Sequence, residues 1–198
     1  MKVLLLGPVG SPLVSIIRDS YCEPIEFEDK IDKQFLVNRT IDFVVSYRYR
    51  HILAKDIIDY LNGKIINLHI SFLPWNRGSD PNLWSFLEDT PKGVTIHHID
   101  EGIDTGDIIA QKQLYFDPEI DTLTTSYLTL NKEIVSLFNQ YWPRIMCGES
   151  QRHKQHNSGS FHRTKDKKEF EFLLKNTGWN TPVRELIGKA LLNCKKHE

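Results

Sequence analysis

Apolar positions along this chain fall into short continuous runs, and the segments between the runs carry helical spacing. Val3–Leu6 is unbroken and is followed by a turn at Gly7–Pro12, so it reads as a buried strand, with Leu13–Asp19 starting a helix behind it. Ile41–Ser46 predicts a second strand, and Ile52, Ile57, Ile58 and Leu61 recur at helical intervals. Further strands are predicted over Lys64–His69, Gly93–Ile99 and Asp107–Gln113, with a helix over Leu83–Glu88. Continuous runs, unlike alternating ones, suit strands buried on both faces. Interleaved with helices they predict βαβ units. The expected class is therefore α/β, with a Rossmann-like, mainly parallel sheet and helices on both faces.

The longest helical pattern runs from Thr122 to Trp142. Leu123, Tyr127, Leu130, Ile134, Leu137, Phe138 and Tyr141 lie near one face, and Pro143 is expected to end it. After Gly148 the composition changes. Gln151–Lys168 holds three of the eight histidines, two arginines and four lysines. A short tail follows, expected as two helices around a turn at Asn176–Thr181.

Composition adds limits. The 198 residues are enough to bury a sizeable core, and a hydrophobic content of 40% with 26% charged residues is ordinary for a globular chain. A formal charge of −1 gives no reason to expect nucleic acid or a membrane as partner. Cys22, Cys147 and Cys194 are odd in number, widely spaced and without metal-ligand spacing, which points to reduced thiols, with no metal site. The apolar run after Lys2 is too short for a secretory signal, and no stretch approaches a membrane span. Cytoplasmic localisation is the expectation.

The chemistry concentrates between Ile65 and Ala110. Asn67 and His69, two apart at a strand end, face the same way. Asp104 follows between Gly102 and Gly106, in a loop joining two strands, and open α/β sheets collect ligands where such loops converge. An amide, an imidazole and a carboxylate together can polarise a carbonyl and move a proton, a set suited to acyl transfer to an amine. Leu73–Pro74 forces a turn nearby, and Arg77–Gly78 adds a cationic, flexible segment. His97 is either near this site or a hydrogen-bonded wall residue. His98 points to the opposite face.

Three pieces resemble one family in order and spacing: N-L-H-I-S-x-L-P-x-x-R-G at 67–78, G-V-T-I-H at 93–97 and D-E-G-I-D-T-G-D-I at 100–108. The family is the folate-dependent formyltransferases, and the resemblance covers residues 1 to about 145. It implies the formyltransferase fold over a catalytic domain at 1–147, with 148–198 as a short helical C-terminal tail bearing a substrate-binding loop. It implies 10-formyltetrahydrofolate as formyl donor and Asn67, His69 and Asp104 as the catalytic trio. Folate would be held by the loops at Arg50, His51 and Leu53 and at Ile99, Asp100 and Asp104, largely through main-chain groups. Relatives acting on purine intermediates hold a phosphate at the turn of Gly10 and Ser11, although Pro8 and Pro12 remove two amide donors there.

The acceptor amine is less fixed. Methionyl-tRNA formyltransferases carry a further β-rich domain, for which this chain has no room, and a near-neutral charge does not suit tRNA. The stretch from Trp75 to Trp84 and the G-x-x-H-x-x-K-D segment at Gly159–Asp166 resemble amino-sugar N-formyltransferases. The resemblance therefore implies a UDP- or dTDP-linked amino-deoxy sugar as substrate. Trp84 would stack on sugar or base, and Arg77, His162, Arg163 and Lys165 would hold the diphosphate or nucleotide. The bland alternative for 159–166 is a solvated basic loop. Phosphoribosylglycinamide formyltransferase, formyltetrahydrofolate hydrolase and a non-catalytic binding module are the competing readings. Trp142 and Trp179 offer either a homodimer face or core packing.

Overall fold

The computed structural model describes residues 1–156 and 159–194, the last two without their side chains, so the Cys194 thiol lies outside the described residues. Eight strands and six α-helices follow in chain order: β1 Lys2–Leu6, α1 Leu13–Asp19, β2 Glu23–Phe27, α2 Lys33–Arg39, β3 Phe43–Tyr47, α3 Lys55–Leu61 and β4 Ile65–His69. Then come β5 Arg77–Gly78, α4 Pro81–Leu87, β6 Lys92–His98, β7 Ile108–Leu114, α5 Leu123–Met146, β8 Phe161–His162 and α6 Lys189–Cys194. Single-turn and longer 3-10 segments fill the stretch from Asp166 to Glu185.

The chain divides into two compact units, and the division does not follow the expected break at 147/148. The first comprises Met1–His69, Thr95–Ala110 and Ile134–Gln155. The second comprises Ile70–Val94, Gln111–Glu133 and the described residues from His156 onward. The six-stranded sheet has the order β2-β1-β3-β4-β6-β7. β1 pairs in parallel with β2 and β3, and β3 with β4, whereas β4 pairs antiparallel with β6. The sheet is thus mainly parallel, as the unbroken apolar runs require.

In the first unit Leu4, Leu6, Val44 and Ile65 project from the sheet onto Leu36, Ile57 and Leu61 of α2 and α3. Trp142 is fully buried and packs edge-on against Phe43, with Phe138 tilted beside it. It is a core residue, so the dimer role weighed for it gives way to packing. Pro143 lies inside α5 and does not end it, because the helix runs on three residues to Met146. In the second unit Leu83, Trp84, Phe86 and Leu87 of α4 and Leu123 form a cluster with Phe170, Val183 and Leu186. The expected pair of tail helices is mostly 3-10 structure, with α6 as its one α-helix among the described residues. No helix among the described residues is long and apolar enough to cross a membrane.

Candidate active site

Burial on both faces holds β4 in the middle of the sheet, and its carboxyl end presents Asn67 and His69. Antiparallel pairing sets His97 of β6 directly opposite Asn67. The chain then turns through 99–107 and brings Asp104 back. That loop is built from its own groups: Asp100 Oδ1 accepts from the Gly102 amide at 3.1 Å and from Thr105 Oγ1 at 2.6 Å. At Gly106 an added Cβ would lie 1.9 Å from the His98 carbonyl oxygen, so only glycine fits. Asp104 itself has φ +53°, the left-handed region that aspartate tolerates better than most residues.

The sequence-assigned trio therefore assembles, with His97 as a fourth member. Asn67 Nδ2 donates to Asp104 Oδ1 at 3.1 Å and lies 3.3 Å from His97 Nε2. His97 Nε2 is 3.4 Å from Asp104 Oδ1, and His69 Nδ1 is 3.7 Å from Asp104 Oδ2. His97 Nδ1 lies 2.7 Å from the His98 carbonyl, which can only accept, so Nδ1 carries a proton. In the neutral ring Nε2 is then an acceptor, and it faces the Asn67 amide. The distance from His69 exceeds a hydrogen bond, so Asp104 acts on His69 through charge, while Asn67 orients Asp104 directly. The side chains of His69, His97 and Asp104 are only 8%, 2% and 13% exposed, which strengthens those charge interactions.

His98 points away from this cluster, as alternation requires. Burial, and then the nearby Arg152 guanidinium, hold its imidazole below the ordinary histidine value. Residues of both loops expected to hold folate pack on the core cluster of the first unit. Tyr49, Leu53 and Ile99 are partly buried against the same core cluster, a partly exposed apolar wall that suits a flat heterocycle. Arg50, His51 and Asp100 are exposed, and Lys55 of α3 pairs with Glu101. The Tyr49 hydroxyl donates to the Asp29 carbonyl at 2.8 Å, and burial pushes its ionisation upward.

Two expected substrate contacts change role. The Ser11 amide already donates to Glu26 Oε1 at 2.7 Å, so a carboxylate sits on the donor the phosphate expectation relied on; Gly10 beside it is open. Trp84 is 5% exposed, and its ring stacks on His162 at 3.7 Å with planes 4° apart, with Phe170 at its edge. Both rings pack within the second unit, stacked on each other. His162 Nε2 lies 3.2 Å from Glu88 Oε1. Burial raises the Glu88 carboxyl, but bonding to His162 and Ser160 and the His162 charge outweigh burial and hold it below the ordinary range. Arg163 and Lys165 remain exposed, and the Arg77 amide donates to the Ser160 carbonyl in the short β5–β8 pairing. Trp179 is 49% exposed, beside the Lys167 ammonium.

The mainly parallel α/β sheet thus ends in a buried amide–imidazole–carboxylate cluster, a set of groups suited to group transfer. The chain belongs to the formyl transferase family, which matches residues 10–139. The formyltransferase PseJ from Anoxybacillus kamchatkensis, solved with UDP-4,6-dideoxy-4-formamido-L-AltNAc and tetrahydrofolate, is 48% identical. The match covers 96% of this chain and 100% of that one, with TM-score 0.92. Phosphoribosylglycinamide formyltransferase from Bacillus subtilis is 33% identical over 128 residues, 64% of this chain and 63% of that protein. Methionyl-tRNA formyltransferase from Agathobacter rectalis is 28% identical over 83% of this chain, which spans only 52% of that protein's length.

Proposed function

We propose that this chain is an N-formyltransferase that moves the formyl group of 10-formyltetrahydrofolate to the 4-amine of a UDP-linked 4-amino-4,6-dideoxy sugar. The observation that carries the reading is the end-to-end likeness to a formyltransferase solved with the corresponding UDP-linked formamido sugar and tetrahydrofolate. The buried cluster supplies the chemistry. As the amine attacks the formyl carbon, negative charge develops on the formyl oxygen, where His69 donates and where Asn67 donates once it releases His97 Nε2, each such donor contributing about 3–4 kcal/mol. Asp104, through water, takes the proton that the amine loses, and the folate nitrogen gains one as its bond to the formyl carbon breaks. In the resting site His97 Nε2 accepts from Asn67 and so orients its amide. Main-chain groups at 50–53 and 99–104 would hold the folate ring, and Arg77, Arg163 and Lys165 are the cations available to the diphosphate.

The test offers the purified protein 10-formyltetrahydrofolate with UDP- and dTDP-linked amino sugars and glycinamide ribonucleotide, read by mass spectrometry. The expected result is a gain of one CO unit on the UDP-linked 4-amino sugar. A gain on glycinamide ribonucleotide alone would make it a purine-synthesis enzyme, and free formate without any acceptor product would make it a hydrolase.

A further inference from the structure

The loop that delivers Asp104 is held from outside by a residue that lies beyond the family match. We propose that Gln155 is a positioning residue for Asp104, an inference that rests on the transferase reading above. Its side-chain Nε2 lies 2.8 Å from the Asp104 carbonyl and 2.8 Å from the Gly106 carbonyl, so one NH2 group spends its two hydrogens on two turns of the same loop. The segment that carries it is itself anchored: the Ile108 amide donates to the His153 carbonyl at 2.8 Å, and the His153 amide returns a bond to Ile108 at 2.9 Å. In an extended chain residues 153 and 155 face the same way, which aims Gln155 at the loop preceding β7.

The clip fits a need. Asp104 sits at φ +53°, a conformation that surrounding contacts must enforce on any residue other than glycine. Asp100 ties the loop from inside through the Gly102 amide and the Thr105 hydroxyl, and the carbonyls of 104 and 106 are taken by Gln155. Two carbonyl oxygens facing the same region repel each other, and a neutral amide nitrogen satisfies both. A carboxylate of the same size would set lone pairs against them, and asparagine is one methylene short. Without the clip the Asp104 backbone can relax, and its carboxylate leaves the 3.1–3.7 Å distances to Asn67 and His69.

The experiment compares wild type with Q155A and the isosteric Q155E in formyl transfer to the UDP-linked 4-amino sugar, alongside hydrogen exchange of the whole chain. Both variants should lose about 10–100-fold in kcat, as expected for a catalytic group misplaced by about 1 Å. KM for the amino sugar should stay near wild type, whereas KM for 10-formyltetrahydrofolate should rise, because the loosened loop also holds the folate ring. Exchange should rise in residues 100–107 and nowhere else. Wild-type kcat in Q155E would overturn the proposal, as would protection lost throughout the chain, which would mark Gln155 as general packing. If wild type transfers formyl to no acceptor, the functional reading fails, and exchange at 100–107 decides the clip by itself.

Discussion

At the scale of single residues, the site turns on a carboxylate held by an amide. Asp104→Asn is the informative substitution, since asparagine keeps the size and tolerates the left-handed backbone, whereas alanine would disturb the loop as well as the charge. Turnover should fall by about 10²–10⁴-fold, as for loss of a general base, with the thermal midpoint close to wild type. Steady-state kinetics together with a melting curve check both halves. Asn67, His69 and Asp104 were legible in sequence because each sits at a strand end or between glycines in a recognisable order. His97 was half legible: it becomes the partner of Asn67 only once β6 is known to run antiparallel to β4, and strand pairing is not written in local residue pattern. The partner of Trp84 was hidden for a related reason. Aromatic and basic residues near each other in a chain suggest a binding face, but here His162 returns to stack on the indole.

At the scale of elements, the continuous apolar strands were readable and the polar ones were not. β2, with the sequence EPIEF, carries two glutamates and a proline, and its place at the sheet edge is what tolerates them. α2 shows only Phe35, Leu36 and Val37 as apolar residues, too short a run to announce a helix. Pro143 falls in the last turn of α5, where the loss of one backbone bond is cheap and Trp142 is anchored in the core. The contact of β8 with α4 has a pH consequence. Because the folded-state Glu88 carboxyl is held below its ordinary value, its contribution is present above the unfolded-state value near 4.5 and is lost as pH falls through the folded-state value. Glu88→Gln should therefore cost about 1–2 kcal/mol at pH 7, the worth of a hydrogen bond to a charged group. Its melting midpoint should converge on wild type as pH falls through the folded-state Glu88 value, below the ordinary carboxylate range. A difference that stays constant from pH 7 to pH 3 would show that the His162–Glu88 charge pair contributes nothing.

At the scale of the whole molecule, described residues beyond Gln155 contribute to the core of the second unit. Phe170, Val183 and Leu186 are buried in the same cluster as Leu83, Trp84, Phe86, Leu87 and Leu123. Backbone bonds stitch the two segments together as well: the Leu123 amide donates to Thr181 at 3.1 Å and the Gly188 amide to Phe86 at 3.0 Å. The reason this was hidden lies in the helix type. The 3-10 segments bury only Phe170 and Val183, and Gly178–Asn180 buries nothing, so they leave no periodic stripe for a sequence to display. Burial of three such side chains contributes about 6 kcal/mol, against a net stability of roughly 5–15 kcal/mol for a typical domain. A chain ending at Met146 would keep Asn67, His69, His97 and Asp104 and still expose the apolar face of α4. It should be recovered as insoluble protein, or should show no cooperative melt by circular dichroism. A soluble truncated chain melting within a few degrees of the full one would mean that the second unit holds together without its C-terminal half. Between those outcomes Leu186→Ala is graded, since a buried leucine truncation costs about 2–5 kcal/mol, enough to lower the midpoint without unfolding the chain at 25 °C.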